Sequence, residues 1–573
     1  MNRKPAFSVK QLLKVARGDE PAEILLTNLK LLNVFTGKVE ETSIAIHQGR
    51  VVGFGDYKAH EVIDFSSAFV TPGFIDAHLH IESSMLTPYF FARAVLPKGT
   101  TTVIADPHEI ANVLGKRGIN YFIKAVKGLP LSVFFMVPSC VPATDFETAG
   151  AKISSDDIKK LLVHPSFLGL GEMMNFPGTI YGDREVIEKI FVAREKGVHI
   201  DGHAPDLRGK NLFAYRIAGV DTDHETLGAE EALEKVRAGF RIFIREGTAA
   251  KNLSDLLSAV NKDNWFMFSF CTDDRHPKEL IEEGHVDYLI RKAISLGLDP
   301  ITAYRMATIS PALCFGLKDR GALFPGSRAD FVVIDDLEEV SIREVWVSGK
   351  KVAQDGVPIF EIHKRIVPPA SPMHIPKKIN LKIKYRGGRI RIIGLVANQI
   401  VTEHLVEIPS IKDGLVVSDP ERGILKIAVI ERYGGERIGI GFVKGFSLKK
   451  GALASTVAHD SHNVIIVGVK DEDMLKCLDV LKKTKGGLVA VADGKVLAKM
   501  DLPVAGLMAD REVHKVKREL EDLIDAAKSL GIKIHDPFMS LSFLALPVIP
   551  TLKITDHGLI DVEAFKPVDL FVK

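Results

Sequence analysis

The chain predicts an α/β protein: a (β/α)8 TIM-type barrel inserted in a small β-domain, followed by a C-terminal α/β domain. Three observations carry that expectation. Between residues 69 and 274, eight apolar segments of strand length, each finishing in polar or charged residues, alternate with stretches of helical composition. Strand and helix in alternation give a parallel sheet, and eight repeats suit closure at the usual span of ~250 residues. Short β-rich patches punctuated by turns flank this repeat at 24–69 and 329–350, so the second patch is expected to complete the sheet of the first. Finally, Pro368-Pro369-Ala370-Ser371-Pro372 reads as a linker, after which β-branched residues and glycine pairs dominate.

Taken in order, the first patch carries Ser43-Ile44-Ala45-Ile46-His47 and Arg50-Val51-Val52-Gly53-Phe54, with Gly37, Gly49 and Gly55 at turns. The barrel strands are expected at 69–80, 100–109, 131–139, 167–172, 198–203, 220–225, 241–246 and 265–274. Helices to about Gly316 complete the ring, and one long helix is expected at 510–530. The resulting domains are 1–68 and 321–367 for the small β-domain, 69–320 for the barrel and 368–573 for the last domain.

Composition narrows the function. With 573 residues, 46% of them hydrophobic, the chain can bury a large core in two to four domains of ~150 residues each. Lys plus Arg (75) nearly balances Asp plus Glu (73), which points away from nucleic acid and anionic membranes and toward a small neutral substrate. Cys140, Cys271, Cys314 and Cys477 form no C-x-x-C pair, so neither a disulfide framework nor a cysteine zinc site is expected, and a cytoplasmic home follows. Residues 1–20 have no apolar h-region, and the apolar stretch 538–552 is broken by Pro547 and Pro550, so no export signal and no membrane span are expected. Self-association into a homo-oligomer is expected on general grounds.

The chemistry is expected at the strand ends. Phe74-Ile75-Asp76-Ala77-His78-Leu79-His80 is an apolar strand closing on two histidines at i, i+2, and such side chains project to one face. Alone the pair is weak, because a strand-end histidine is more often simply hydrogen-bonded. The other ends add His108 and Glu109, Glu172, His203, His224 and Glu225, and Asp273 and Asp274. Glu172 read singly is a solvent-facing cap, and Asp273-Asp274 a helix N-cap before Pro277. Together, four histidines and two carboxylates at one barrel mouth need a shared partner, since buried charge is costly unless paired. Six ligands suit two divalent ions: His78, His80 and Asp273 on one, His203 and His224 on the other, Glu172 bridging. Imidazole and carboxylate without thiolate fit Zn2+, Mn2+ or Fe2+, and the carboxylate share favours Mn2+ or Fe2+.

These residues, with Val70-Thr71-Pro72-Gly73 before them and Gly321-Ala322-Leu323-Phe324-Pro325-Gly326-Ser327-Arg328-Ala329-Asp330 far downstream, resemble the amidohydrolase superfamily. The more specific resemblance is to the bacterial and archaeal adenine deaminase family. It rests on His80-Ile81-Glu82-Ser83-Ser84-Met85, Ala105-Asp106-Pro107-His108-Glu109-Ile110-Ala111-Asn112-Val113, Cys271-Thr272-Asp273-Asp274-Arg275-His276 and Ala458-His459-Asp460-Ser461-His462-Asn463. Two-metal members of the superfamily commonly bridge their ions with a carboxylated lysine. Glu172 at that position disfavours dihydroorotase-like and urease-like chemistry.

The resemblance implies conversion of adenine to hypoxanthine and ammonia. Hydroxide held between the ions is expected to attack C6, with Asp273 moving its proton to the departing ammonia. Glu109 is the first candidate to protonate N1 and Glu82 the second, Glu82 reading equally as a helix-start carboxylate. His108 and Asp274 are expected to orient the purine, and His459 or His462 to reach it if the last domain covers the mouth; the plain reading of 459–463 is turn formation. The competing functions are another amidohydrolase, either a cyclic amide hydrolase or a different aminohydrolase, and a non-catalytic metal-binding scaffold. A compact cytidine-deaminase zinc site is excluded by the missing C-x-x-C.

Overall fold

Strands buried on both faces read as unbroken apolar runs, and the central repeat has them: all six residues of Thr100–Ala105 are buried. The computed structural model describes residues 8–362, 365–396 and 399–572. The parts of the expected domains at 1–7, 363–364, 397–398 and 573 lie outside the described residues.

Five parallel strands pair in chain order, β1 (Phe74–Leu79), β2 (Thr100–Ala105), β3 (Ser132–Val137), β4 (Phe167–Met173) and β5 (His199–Gly202). A second parallel sheet holds β6 (Thr222–Asp223), β7 (Arg241–Arg245) and β8 (Phe268–Cys271). The sheets touch along both edges. On one side the Asp221 N–H donates to the Ile200 carbonyl at 2.8 Å. On the other, the Asp273 N–H donates to the His78 carbonyl at 3.0 Å and the His80 N–H to the Asp273 carbonyl at 3.3 Å. A side-chain bond reinforces this seam, the Thr272 hydroxyl donating to the fully buried Asp76 at 2.7 Å. Between the strands pack Ala77, Ile104, Met136, Phe243 and Cys271.

β6 is the shortest of the eight, two residues where the sequence predicts six. Its continuation, His224-Glu225, turns side chains toward charged neighbours rather than a strand partner. β8 likewise starts after a short 3-10 turn at Trp265–Met267.

An eight-stranded sheet flanks the parallel strands. Phe331–Ile334 runs antiparallel to Ala59–Pro72, with Phe331 opposite Pro72. The chain therefore leaves this sheet at Pro72, passes through β1 to β8 and returns at Phe331. Phe331 and Trp346 stack with centroids 5.4 Å apart in its core.

After the proline stretch a nine-stranded sheet forms, covered by the helices Asp471–Thr484 and Val513–Ser529. The second is the helix predicted at 510–530; Val513, Val516, Leu520, Leu523, Ile524 and Ala527 bury one face at helical spacing. This region is tied to the connections that follow the parallel strands: the Ala509 N–H donates to the Met85 carbonyl at 2.8 Å, and the Asn463 side-chain amide to the Thr148 carbonyl at 2.8 Å. Among the described residues, no helix is long and apolar enough to cross a membrane.

Candidate active site

Alternation along β1 turns His78 and His80 to the same side, and their outer nitrogens are already spoken for. His78 Nδ1 lies 2.8 Å from the Asp201 carboxylate, and His80 Nδ1 2.9 Å from the Asp106 backbone carbonyl. Both partners accept, so each Nδ1 carries the proton and each Nε2 presents a lone pair. The two Nε2 atoms face each other at 3.2 Å. Two lone pairs at that distance repel unless a cation stands between their axes, which is the physical case for a metal-binding pair.

Glu172, at the end of β4, stands between two groups of imidazoles. Its Oε1 is 3.2 Å from His80 Nε2 and 3.8 Å from His78 Nε2; its Oε2 is 2.7 Å from His203 Nδ1 and 3.3 Å from His224 Nε2. Asp273 approaches from β8, its Oδ1 3.1 Å from His80 Nε2 and 3.7 Å from His78 Nε2. Ligand atoms of His78, His80 and Glu172, of His78, His224 and Asp273, and of Glu172, His203 and His224 each lie within 4.8 Å of one another. Both nitrogens of His224 are buried without a hydrogen bond. A donor set of facing imidazole nitrogens and shared carboxylates fits divalent ions. The six expected ligands are thus brought together.

Asp273 has φ +54°, the left-handed region that a non-glycine residue adopts at a cost. The flanking bonds to β1 hold it there, and Arg245 Nη1 grips its Oδ2 at 2.8 Å. Arg245 also pairs with Glu225, Nη2 to Oε2 at 2.9 Å.

Beside the ligands opens a cavity of ≈ 570 Å³, its solvent mouth included, within the range of small-molecule sites. One side is polar: His80, His108, Glu109, Glu172, His203, Asp273 and Asp274. The opposite side belongs to the last domain, with Ile400, Phe543, Leu546 and Ile549 beside His459 and Asp460. His108 Nδ1 is 3.3 Å from Glu172 and its Nε2 3.5 Å from Glu109.

Glu109 bridges the two domains. His459 Nδ1 sits 2.5 Å from its Oε1, and His462 Nε2 contacts its Oε2. Burial pushes the Glu109 carboxyl up, but His459, His462 and His108 hold it well below the usual carboxylate range. Burial also opposes charge on His459, yet Glu109 raises it to about 9. His462 is pulled by burial to about 4, and its Nδ1 accepts the Ala458 N–H at 3.1 Å, so it is the neutral Nε2–H donor. His462 and Glu82 face a second, smaller cavity that shares Glu109 and His459 with the first. There burial raises Glu82 to about 7, and its Oε1 accepts the Ile110 N–H at 3.0 Å.

Every expected site residue therefore lines one of the two cavities or the ligand cluster. Sequence reasoning missed Asp201, the partner of His78, although it precedes His203 by two and alternation alone would have flagged it. It gave Arg245 and Glu225 no role, and it gave no sign of Ile400 or Phe543, which carry no polar signature.

Comparisons with known proteins bear on the same regions. The amidohydrolase family model matches residues 69–352, and the adenine deaminase C-terminal domain model matches 399–566. The chain is 49% identical over 567 residues to an adenine deaminase of Desulfatibacillum aliphaticivorans, covering 98% of this chain and 99% of that one. It is 48% identical to the adenine deaminase of Thermosipho africanus, covering 99% and 100%, and 46% identical to that of Methanothrix thermoacetophila, covering 99% and 100%.

Proposed function

The chain belongs to the adenine deaminase family, and from that premise we propose that it hydrolyses adenine to hypoxanthine and ammonia at the cavity beside His78, His80 and Glu172. The observation that carries this reading is the pairing of two unlike walls. A polar wall built for cations and proton transfer faces an apolar wall from the domain that matches the adenine deaminase C-terminal model.

The eight parallel strands are read as one closed (β/α)8 ring, supported by the backbone bonds at both junctions between the two sheets. The domain limits follow: 69–320 for the ring, 1–68 with 321–367 for the flanking sheet, and 368–573 for the cover. Two divalent ions are assigned, one to His78, His80 and Asp273 and the other to His203 and His224, with Glu172 between them. Mn2+ or Fe2+ is favoured by the carboxylate share, with Zn2+ as the alternative. Bound, such ions supply a strong nucleophile at neutral pH by lowering the pKa of water.

The remaining work falls to side chains. Asp273, its Oδ2 anchored by Arg245, takes one proton of the attacking water through Oδ1 and returns it to the exocyclic nitrogen, which leaves as ammonia, while the second proton of that water replaces the one the acid gives to N1. N1 receives a proton from the Glu109–His459 pair, in which the imidazole is the charged member. Glu82 is the second candidate for that step. His108 and Asp274 orient the ring edge, while Phe543, Leu546 and Ile549 cover its faces and exclude water.

The test is ammonia release from adenine, set against adenosine, cytosine and hydantoins, with metal content measured by elemental analysis on the same preparation. Selective turnover of adenine with two metal equivalents per chain is expected. Turnover of a hydantoin but not of adenine by a metal-loaded preparation would overturn the reading in favour of a cyclic amide hydrolase.

A further inference from the structure

Lys553 lies in the strand Leu552–Thr555 with none of its surface exposed. Burying an ammonium is expensive unless something compensates. Among the described residues no carboxylate forms an ion pair with it, and burial alone acts on it, drawing its pKa to about 7. Its hydrogen bonds go to two backbone carbonyls. Nζ donates to the carbonyl of Ile400 at 2.8 Å and to that of Phe543 at 3.1 Å.

Those carbonyls come from separate elements. Phe543 ends the helix Pro537–Phe543, where carbonyls have no partner within the helix. Ile400 precedes the strand Thr402–Glu407. Both side chains line the substrate cavity, and the Phe543 ring stacks on the His459 imidazole, centroids 4.7 Å apart and planes 19° apart. An apolar residue at 553 would fill the same space without burying a charge, but it would take the Lys553 donor from the Ile400 carbonyl, leave the Phe543 carbonyl with the longer bond from the Leu546 N–H at 3.4 Å, and remove this side-chain link between the two segments.

We propose that Lys553 is a positioning residue for the substrate cavity: it ties together the backbone segments that carry Ile400 and Phe543 and so sets the apolar wall against which the purine packs. The inference rests on the reading of this cavity as the adenine site.

The test is steady-state kinetics of the full-length, metal-loaded chain. Lys553→Met is expected to raise the KM for adenine about tenfold, the factor set by one or two lost hydrogen bonds. Its kcat and its metal content should stay near wild type, and Lys553→Arg, which keeps donors, should recover part of the loss. In an Ile400→Ala, Phe543→Ala background, adding Lys553→Met should move KM little further, because the wall it positions is already gone. A folded Lys553→Met with wild-type KM would overturn the proposal, as would a full tenfold effect in the double background, which would mark a purely structural lysine. Should Lys553→Met fail to fold, the same double-background comparison with Lys553→Gln decides. Wild-type chain is the control: if it ignores adenine, the deamination reading fails and the ratio is measured on the substrate it does turn over, whereas adenine turnover with an unmoved KM counts against the clamp alone.

Discussion

Replacing Asp201 by Asn changes one heavy atom at a site that touches no substrate, yet it should loosen the metal centre. Asp201 is buried, and both of its oxygens accept: Oδ2 faces His78 Nδ1 at 2.8 Å and His224 Nδ1 at 3.9 Å, while Oδ1 accepts the Thr222 hydroxyl. Burial pushes its carboxyl up, but the His78 and His224 imidazoles hold it far below the usual range. Asparagine offers one accepting oxygen where two are used, so either Thr222 or His78 loses its partner. If His78 loses it, the proton is no longer pinned on Nδ1 and the nitrogen facing His80 is no longer reliably a lone pair. Removing such a partner of a metal ligand typically weakens metal affinity by about 10–100-fold, or ~1.4–2.7 kcal/mol. The assay is a chelator titration with metal per chain read by elemental analysis. Asp201→Asn should release metal at about 10–100-fold lower chelator concentration, then recover most of its turnover when metal is returned in excess. Metal retention equal to wild type in a folded variant would refute the argument that Asp201 sets the His78 tautomer.

Other outcomes follow from the same geometry. Asp273→Asn should fold and bind substrate but lose turnover by orders of magnitude; near-normal activity in a metal-loaded preparation would remove Asp273 as the proton carrier. Glu109→Gln, which removes the carboxylate that keeps the His459 imidazole charged, should lower kcat by about 10²–10⁴-fold, the range of general-acid catalysis, and Glu82→Gln by much less; the reverse order would assign proton delivery to Glu82. The His459–Glu109 pair should give stability a pH dependence. His459 is charged up to about pH 9 in the folded chain against 6.5 when unfolded, so its contribution is complete below 6.5 and is lost as pH rises through 9. Chemical denaturation of wild type and His459→Gln should differ by at most ~3 kcal/mol near pH 6.5 and converge by about pH 10. A gap that does not vary with pH would show that the imidazole is not charged in the fold.

Much of this site was legible because period-two alternation and strand termination are local signals. His78 and His80 sit two apart before a break in an apolar run, Glu172 and Asp273 each end a comparable run, and His203 and His224 close shorter, more polar segments between stretches of helical composition. Their meeting needed only the expectation that parallel strands present their C-terminal ends together. What stayed hidden is what depends on contacts between distant segments. Nothing local in Ile244-Arg245-Glu246 says that Arg245 anchors Asp273, and Phe543 in a run of apolar residues is indistinguishable from core. The length of β6 was misjudged for a related reason. A strand is expected over 220–225 although Val220 is its one apolar residue; the ladder stops at Asp223, and the His224 and Glu225 side chains lie against Glu172 and Arg245.

The two unlike walls of the cavity also lie in sequence order. All six cation-facing side chains precede residue 274, and the hydrophobic cover, from Ile400 to Ile549, follows. During synthesis from the N-terminus, the cradle leaves the ribosome long before its roof. The six candidate ligand residues are therefore all present in the nascent chain before any residue of the apolar cover has been made.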